Sequence, residues 1–277
     1  MGRDFWCDSG GFVSDFDRFE RERWAARAGV YQRSFARLCA YPAELVLDAA
    51  GVRAGTCVLD VGTGPGTVAA LAVARGAKVA AVDPEPSMVS AAGRLVSDVR
   101  LGALPELPFE AGEFDAVVAN FVLNHVGEPV AAVRELARVT RPGGRVAVTI
   151  WPYPQPPLQQ LWGAALEASG VVPGLVTPRP VTDFARTEEG VAALLGAAFG
   201  EVRVERVEWT HRADPDDWWS GPANGLSTFG AILQSLPPAE VATVRLAYDE
   251  LTTAFLGDGG LLELPTAALL GSAVARG

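Results

Sequence analysis

The 277-residue sequence is poor in positive charge, cysteine and histidine. Lysine is nearly absent, and 23 basic residues face 33 acidic ones, which gives a net charge of −10. Because nucleic-acid affinity rests mostly on clustered lysine and arginine, this balance argues against a nucleic-acid partner. The three cysteines (Cys7, Cys39 and Cys57) have no metal-site spacing and no even-numbered framework. The sequence therefore predicts no metal centre and no disulfide scaffold.

Long apolar runs are also missing. The first residues have no apolar core of a signal peptide, and no run reaches the length of a membrane span. We therefore expect a cytoplasmic protein without a membrane partner, kept soluble by an acidic surface. Hydrophobic residues make up 49% of the chain. This is enough for one large domain, or for one domain with a cap.

What the sequence does contain is an alternation of apolar strands and helical patterns. Strands are predicted at Cys57–Val61, Lys78–Asp83, Val99–Leu101, Phe114–Asn120 and Arg145–Ile150. Helices are predicted at Thr67–Arg75, Pro86–Val96 and Pro129–Thr140, the last of them stopped by the Arg-Pro-Gly-Gly sequence at 141–144. Near-continuous apolar strands separated by helices predict a parallel sheet that is covered on both faces.

The segment VLDVGTGPGT at 58–67 is the most informative part of the chain. It joins the first predicted strand to a helix through Gly62, Gly64 and Gly66. Glycine allows a close approach of the backbone to a ligand, and the helix N-terminus favours a negatively charged group. The dinucleotide fingerprint G-x-G-x-x-G does not fit, because Thr67 stands where its third glycine belongs. A tight turn in another α/β protein is the remaining alternative.

Four further segments follow in order: VAAVDP at 79–84, GALPELPF at 102–109, NFVLNHV at 120–126 and LARVTRPGGR at 136–145. Together with the glycine turn, these segments resemble the motifs of class I S-adenosylmethionine (SAM) methyltransferases of the small-molecule (UbiE/secondary-metabolite-like) type. The resemblance is specific over about 57–151 and looser over 187–212 and 261–276. It implies a Rossmann-like α/β fold with a seven-stranded, mostly parallel sheet of order 3-2-1-4-5-7-6, whose last strand is antiparallel.

The resemblance also implies SAM as cofactor, with S-adenosylhomocysteine as its product. Asp83 would bind the ribose, unless it only caps the next helix. Ala103 stands where the family often has an aspartate for the adenine amino group, so that backbone and apolar contacts would hold adenine. The implied cofactor-binding residues are Tyr31, Asp60, Gly62, Thr63, Gly64, Gly66, Asp83, Pro84, Met88, Ala103, Leu104 and Asn120. For Met88 a place in the helix core is an equal alternative.

Outside the core, we expect an N-terminal helical lid segment at 1–50, the SAM-binding core at 51–151, and an insertion or lid at 152–186. Residues 187–277 would complete the sheet around a helical insertion at 213–260. Aromatic residues are frequent in the N-terminal segment and in the insertions. In similar enzymes these regions cover the substrate, which favours a flat or apolar acceptor; the alternative is that the aromatics only pack the caps onto the core.

Histidine is the natural base near neutral pH, and the chain has two. His125 follows the fourth strand beside the expected ligand edge, and is predicted to act as general base or to orient the substrate; a structural histidine is the alternative. His211 is expected at the surface. An acidic phenol or a carbon activated by the substrate itself would need no protein base.

Taken together, the sequence predicts methyl transfer to an O or N atom of a small apolar or aromatic metabolite in bacterial secondary metabolism, by a monomer or homodimer. One alternative is an enzyme of the same fold that catalyses a non-methylating step such as cyclisation. The other is a non-catalytic SAM-binding partner.

Overall fold

The computed structural model describes residues 14–277. Four short helices precede the first strand: α1 (Asp15–Trp24), α2 (Ala28–Arg33), α3 (Ala36–Ala40) and α4 (Ala43–Ala49). Ser14 caps α1, because its Oγ accepts a hydrogen bond of 3.1 Å from the Asp17 amide. The part of the predicted segment 1–50 that precedes residue 14, including Cys7, lies outside the described residues.

The alternating part of the chain runs through β1 (Cys57–Val61), α5 (Thr67–Ala74), β2 (Lys78–Asp83), α6 (Pro86–Ala92), β3 (Asp98–Leu101), β4 (Phe114–Asn120), a 3₁₀ turn (Leu123–His125), α7 (Pro129–Val139) and β5 (Thr140–Ile150). It continues through α8 (Pro157–Ser169), α9 (Glu188–Gly196), β6 (Phe199–Ala213), α10 (Pro215–Ala223), α11 (Ser227–Ser235), α12 (Pro238–Thr252) and β7 (Leu262–Ala275).

These strands form one seven-stranded sheet of order β3-β2-β1-β4-β5-β7-β6. The pairs among β1 to β5 are parallel, whereas β7 runs antiparallel to both β5 and β6. The expected fold class and strand order are therefore confirmed. Residues 214–261 connect β6 to β7 and carry α10 to α12, so that the C-terminal hairpin has a helical insertion in its turn.

Both faces of the sheet are covered by helices. On one face, residues of α7 and α9 such as Leu136 and Leu195 pack on buried strand residues such as Val117 and Val148. On the other face, α4 and α5 pack on Val58, Ala116 and Val118. Strands buried on both sides must be apolar throughout, which explains the near-continuous apolar runs of the sequence.

The two predicted insertions form a second core of their own. The ring of Trp162 on α8 lies 5.4 Å from that of Tyr248 on α12, 5.2 Å from that of Phe229 on α11 and 5.6 Å from that of Trp218 on α10. Aromatic pairs at such distances add to the free energy gained by burial. The helices of both insertions thus pack together as one layer.

Two element ends differ from the sequence-based expectation by more than one residue, and β7 extends beyond the parallel strands. α6 ends at Ala92, because Gly93 takes its C-cap position. β5 begins at Thr140, since Phe114 pairs with Thr140 before the register shifts to Ala116 and Arg145. β7 begins at Leu262, because β6 and β7 pair as far as Ala213 and Leu262, beyond the edge of the parallel strands. Within residues 14–277, no helix is both long and apolar enough to cross a membrane.

Candidate functional site

A cavity of about 570 Å³ opens past the carboxyl ends of β1, β2, β4 and β5. Its floor includes Gly62, Asp83, Asn120 and Trp151, which follow or end these strands. Its walls come from α1, whose lining residues are mostly charged, and from α8 and α11, which contribute aromatic and aliphatic side chains together with a few polar ones. This position and this volume are typical of ligand sites in open α/β sheets.

The three glycines after β1 all have positive φ angles, of 63° at Gly62, 55° at Gly64 and 92° at Gly66. A Cβ at Gly64 would have no described atom within 4 Å, so that the missing side chain leaves open space. A Cβ at Gly62 would lie 2.5 Å from Cγ2 of Val122, and one at Gly66 would lie 3.1 Å from Cα of Ala92. Gly64 therefore shapes the cavity, while Gly62 and Gly66 permit packing.

Asp60 lies beneath this corner. Its side chain is buried, and its Oδ2 accepts hydrogen bonds from Thr63 Oγ1 at 2.7 Å and from the Ala69 amide at 3.0 Å. Ala69 is in the first turn of α5, whose N-cap, Gly66, has no side chain to satisfy that amide. Burial raises the pKa of Asp60 to about 7 although both hydrogen bonds oppose the rise. Asp60 and Thr63 line a small neighbouring cavity of about 30 Å³. The hydrogen bonds of Asp60 hold the glycine turn in place.

Asp83 connects the ends of β1 and β2. Its Oδ2 accepts from the Gly64 amide and its Oδ1 from the Glu85 amide, each at 2.9 Å. Burial raises its pKa to about 6, against the effect of these two hydrogen bonds. The alternative that Asp83 caps the next helix is wrong: Glu85 is the N-cap of α6 and accepts from the Ser87 and Met88 amides. Asp83 faces the large cavity instead.

The other expected cofactor-binding residues differ in whether they line the large cavity. Tyr31, Pro84, Met88, Ala103, Leu104 and Asn120 line the large cavity, whereas Gly66 does not. Met88 is 3% exposed and belongs to the core, as its alternative role requires, and it also lines the cavity. Burial raises the pKa of Tyr31 well above its usual value, which keeps its hydroxyl protonated near neutral pH.

The end of β4 is held in an unusual conformation. The Asn120 amide group donates to the Cys39 carbonyl at 2.8 Å and accepts from Thr149 Oγ1 at 2.6 Å, and these two bonds fix its orientation. Phe121 has a φ of 58°, and its ring lies parallel to that of Trp151 with centroids 3.7 Å apart. A positive φ at a bulky residue costs about 1–3 kcal/mol and is typical of functional sites.

His125 is not isolated at this edge. Its Nδ1 lies 2.7 Å from Oε2 of Glu20, a residue of α1 that sequence reasoning missed. Arg23 Nη2 donates to the same oxygen at 3.1 Å. Burial would raise the pKa of Glu20, but the neighbouring His125 and Arg23 lower it overall. The acidic and aromatic face of α1 could have signalled a contact, but nothing in the sequence relates Glu20 to a residue 105 positions away.

His211 does not lie at the surface, and that expectation is wrong. Its side chain is buried, with its ring centroid 5.2 Å from that of Trp218. Burial lowers its pKa to about 4, and the charge of Arg37 adds to this effect. The reason is that β6 runs past the parallel strands, where its inner face meets α10. Trp209 and His211 share that face, and their alternation was the available signal. Across residues 14–277, no group of three or more His, Cys, Asp or Glu side chains could hold a metal ion.

Part of the chain is similar to known methyltransferases. A family described as "Methyltransferase domain" matches residues 59–148. A demethylmenaquinone methyltransferase of Beutenbergia cavernae is 40% identical over 124 residues, which cover 44% of this chain and 52% of that protein. The matched segments span between a third and about half of the first three curated relatives.

Two solved structures share the fold. The YcgJ protein of Bacillus subtilis has a TM-score of 0.56 at 21% identity, over 86% of this chain and 99% of that one. Phosphoethanolamine N-methyltransferase 2 of Haemonchus contortus, solved with phosphomonomethylethanolamine and S-adenosylhomocysteine, has a TM-score of 0.56 at 15% identity, over 96% of this chain and 61% of that one. At these identities the likeness concerns the fold alone.

The fold and the site define a Rossmann-like α/β protein with a ligand cavity at the switch point of its sheet. The family match then specifies the class of one region: residues 59–148 match a methyltransferase domain, and the cofactor of such domains is SAM.

Proposed function

We propose that this protein transfers a methyl group from SAM to an oxygen or nitrogen atom of a small apolar or aromatic metabolite, in bacterial secondary metabolism. The observation that carries the proposal is the hydrogen bond from the Gly64 amide to Asp83. It joins the glycine corner to the acid that ends β2, at one end of a cavity whose other end is aromatic.

Asp83 is the residue best suited to bind a ribose. Each of its oxygens has lone pairs beyond the one that accepts a backbone amide, and the residue lines the cavity. Pro84, Met88 and Leu104 offer an apolar surface beside it for adenine, and the open space at Gly64 would admit the amino-acid part of the cofactor. These residues fit SAM without any bound metal.

When bound, SAM supplies a methyl group that is already activated by the positive sulfonium. The residues of this chain then have to orient the acceptor, exclude water and manage a proton. Trp24, Trp151 and Trp162 enclose the cavity with apolar surface, and orientation in such a site contributes up to about 7–11 kcal/mol to the rate. His125 is placed to accept a proton.

The acceptor would lie on the aromatic side. The parallel pair of Phe121 and Trp151 and the stacked pair of Trp162 and Phe229 line this part of the cavity. Flat apolar rings pack well against such surfaces.

Calorimetric titration tests the cofactor. We expect S-adenosylhomocysteine to bind at micromolar concentration and NAD not to bind. Asp83→Asn should weaken binding roughly 10–100-fold, since it replaces a charged hydrogen-bond acceptor. Asp98→Asn is the matched control, because Asp98 pairs with Arg100 on the half-exposed edge of the sheet. Binding of NAD without S-adenosylhomocysteine would refute the proposal.

Mass spectrometry tests the reaction. The protein is incubated with SAM and a panel of naphthols, naphthylamines and open-chain conjugated polyenes, the last of which could cyclise. A product heavier by one methylene unit supports methyl transfer. An isomer of the acceptor would instead indicate cyclisation. S-adenosylhomocysteine binding without turnover of any acceptor, in an extended panel, would favour a non-catalytic partner.

A further inference from the structure

Helix α1 presents one face to the segment that follows β4. Asp17, Glu20 and Trp24 lie three or four residues apart and so point in the same direction. Asp17 Oδ1 accepts from the Gly127 amide at 2.8 Å, and Glu20 contacts His125. The ring of Trp24 lies edge-on to the imidazole, with centroids 5.3 Å apart. The helix therefore contacts the imidazole at Glu20 and Trp24, and Asp17 binds the backbone two residues beyond it.

The contact between Glu20 and His125 determines which ring nitrogen carries the proton. Glu20 is buried and its carboxylate also accepts from Arg23, so that it acts as a hydrogen-bond acceptor. The nitrogen facing it, Nδ1, must then be the donor, and a neutral imidazole has its lone pair on Nε2. Nε2 makes no hydrogen bond within residues 14–277, and His125 lines the cavity.

A second contact fixes Glu20 itself. The side chains of Glu20 and Arg23 are 8% and 6% exposed, and Arg23 Nη1 also donates to Thr228 Oγ1 at 2.8 Å. Thr228 belongs to α11, in the helical insertion, so that the chain Thr228–Arg23–Glu20–His125 joins three separate parts of the sequence. A buried carboxylate with two partners has little freedom to turn away from the imidazole.

The docking of α1 depends on a glycine. A Cβ at Gly127 would lie 2.8 Å from Asp17 Oδ2 and 2.8 Å from Ser14 Oγ. The position next to the His125–Val126 pair therefore has to lack a side chain if α1 is to sit where Glu20 reaches the imidazole.

We propose that Glu20 is a positioning residue which holds His125 as the tautomer protonated at Nδ1, and that the acceptor is therefore a weakly acidic hydroxyl whose proton goes to Nε2. This inference rests on the proposed function. In the step, the O–H bond breaks and its proton forms a bond to Nε2, which leaves an imidazolium. The oxygen electron pair forms the bond to the methyl carbon, and the pair of the broken carbon–sulfur bond stays on sulfur.

Imidazole ¹⁵N NMR of the chain without ligand tests the first half, and needs no acceptor. The sequence contains two histidines, so that His211→Phe assigns both spectra. At pH 8 we expect His125 to be protonated at Nδ1 and bare at Nε2. In Glu20→Gln this preference should be lost, whereas Glu22→Gln, an exposed neighbour on the same helix, should preserve it. A wild-type spectrum with the proton on Nε2 would overturn the proposal even if no variant folds.

Turnover of naphthols of different acidity tests the second half. Glu20→Gln should lower kcat about 10–1,000-fold for an unsubstituted naphthol, by analogy with the loss of a carboxylate that fixes a catalytic imidazole. It should have little effect on a nitro-naphthol that is already ionised at the assay pH. Glu20→Asp should restore part of the rate. An equal loss for both naphthols would refute a proton-linked role of Glu20.

Gly127→Ala gives the same test without changing a charge. We expect it to shift the tautomer of His125 and to reduce turnover of the unsubstituted naphthol, while S-adenosylhomocysteine still binds. If S-adenosylhomocysteine fails to bind to the wild type, the proposed function fails, but the NMR result still decides the role of Glu20. If it binds and the tautomer is not that expected, only the inference fails.

Discussion

Three buried titratable residues change the free energy of unfolding with pH, two of them in one direction and the third in the other. Burial raises the pKa of Asp60 to about 7 and that of Asp83 to about 6, so that the folded chain keeps protons that the unfolded chain has lost above pH 3.8. The contribution of these two residues to the free energy of unfolding therefore falls as the pH rises through this range. His211, with its pKa lowered to about 4, acts in the opposite direction.

The contribution of His211 can be separated by substitution. Between pH 6.5 and 4 the unfolded chain protonates this imidazole and the folded chain does not, so that stability is lost as the pH falls. His211→Phe keeps an aromatic ring against Trp218 and removes a buried Nε2 without a hydrogen-bond partner among the described residues. We expect the variant to gain about 2–3 kcal/mol over the wild type between pH 7 and pH 4.

Urea unfolding of both proteins at each pH measures this gain as a difference, in which the opposing effects of Asp60 and Asp83 cancel. A difference that stays constant between pH 7 and pH 4 would show that His211 takes up its proton in the folded state as readily as in the unfolded one.

At the scale of elements, the glycines in the turn from β1 to α5 meet two different requirements, close packing and space for a ligand, which the sequence motif alone does not distinguish. Gly62 lacks a side chain because Val122 occupies the space, whereas Gly64 lacks one at a point that faces open space. The same residue type thus serves packing at one position and the ligand at the other.

Alanine at these two positions should therefore have different effects. Both substitutions place a side chain at positive φ, which costs about 1–2 kcal/mol. Gly62→Ala should lose a further 1–3 kcal/mol or so, because its Cβ overlaps Val122. Gly64→Ala should remain near the lower cost but bind S-adenosylhomocysteine at least about 10-fold more weakly, since its Cβ takes space from the ligand.

Urea unfolding and calorimetric titration of the two variants provide the measurements. If Gly64→Ala bound S-adenosylhomocysteine like the wild type, the ligand would have to lie elsewhere in the cavity.

At the scale of the whole molecule, the cavity is roofed by parts of the chain that are far apart in sequence. Helix α1 is tied to the core by Glu20 and Asp17 and to the insertion by Arg23. Arg27 Nε also donates to the Asn224 carbonyl at 2.9 Å, and the Ala26 amide donates to Glu85. Hydrogen bonds rather than a large apolar contact hold α1 in this roof, since no α1 residue belongs to the buried apolar clusters, so that α1 can move at a modest cost in free energy.

A ligand in the cavity should therefore stabilise the roof more than the sheet. We expect saturating S-adenosylhomocysteine to slow amide hydrogen exchange strongly over residues 14–41 and 224–233, and only slightly over α9 on the far side of the sheet. Exchange measured by mass spectrometry on peptides provides the comparison. Equal slowing everywhere would indicate global stabilisation without closure of the roof.

Local patterns in the sequence determined the sheet and the half of the cavity that would bind the cofactor. The apolar runs of β1, β2 and β4 are bounded by glycine, proline and acidic residues, and parallel strands bring their carboxyl ends to one edge. The family resemblance placed the residues from Gly62 to Asn120 together at this edge. Family resemblance supplied the strand order, which spacing does not contain.

Only the tertiary structure decided how the distant parts combine. A chain of hydrogen bonds connects His125 to Glu20, then to Arg23 and Thr228, because α1 and α11 cross the same edge of the sheet. No periodicity in the chain encodes that crossing. The β6–β7 hairpin extends beyond the parallel strands, which accounts for the length of β7. Helix α10 packs on this extension and buries His211. Local sequence determines which elements form, but contacts between remote segments depend on how the assembled elements pack.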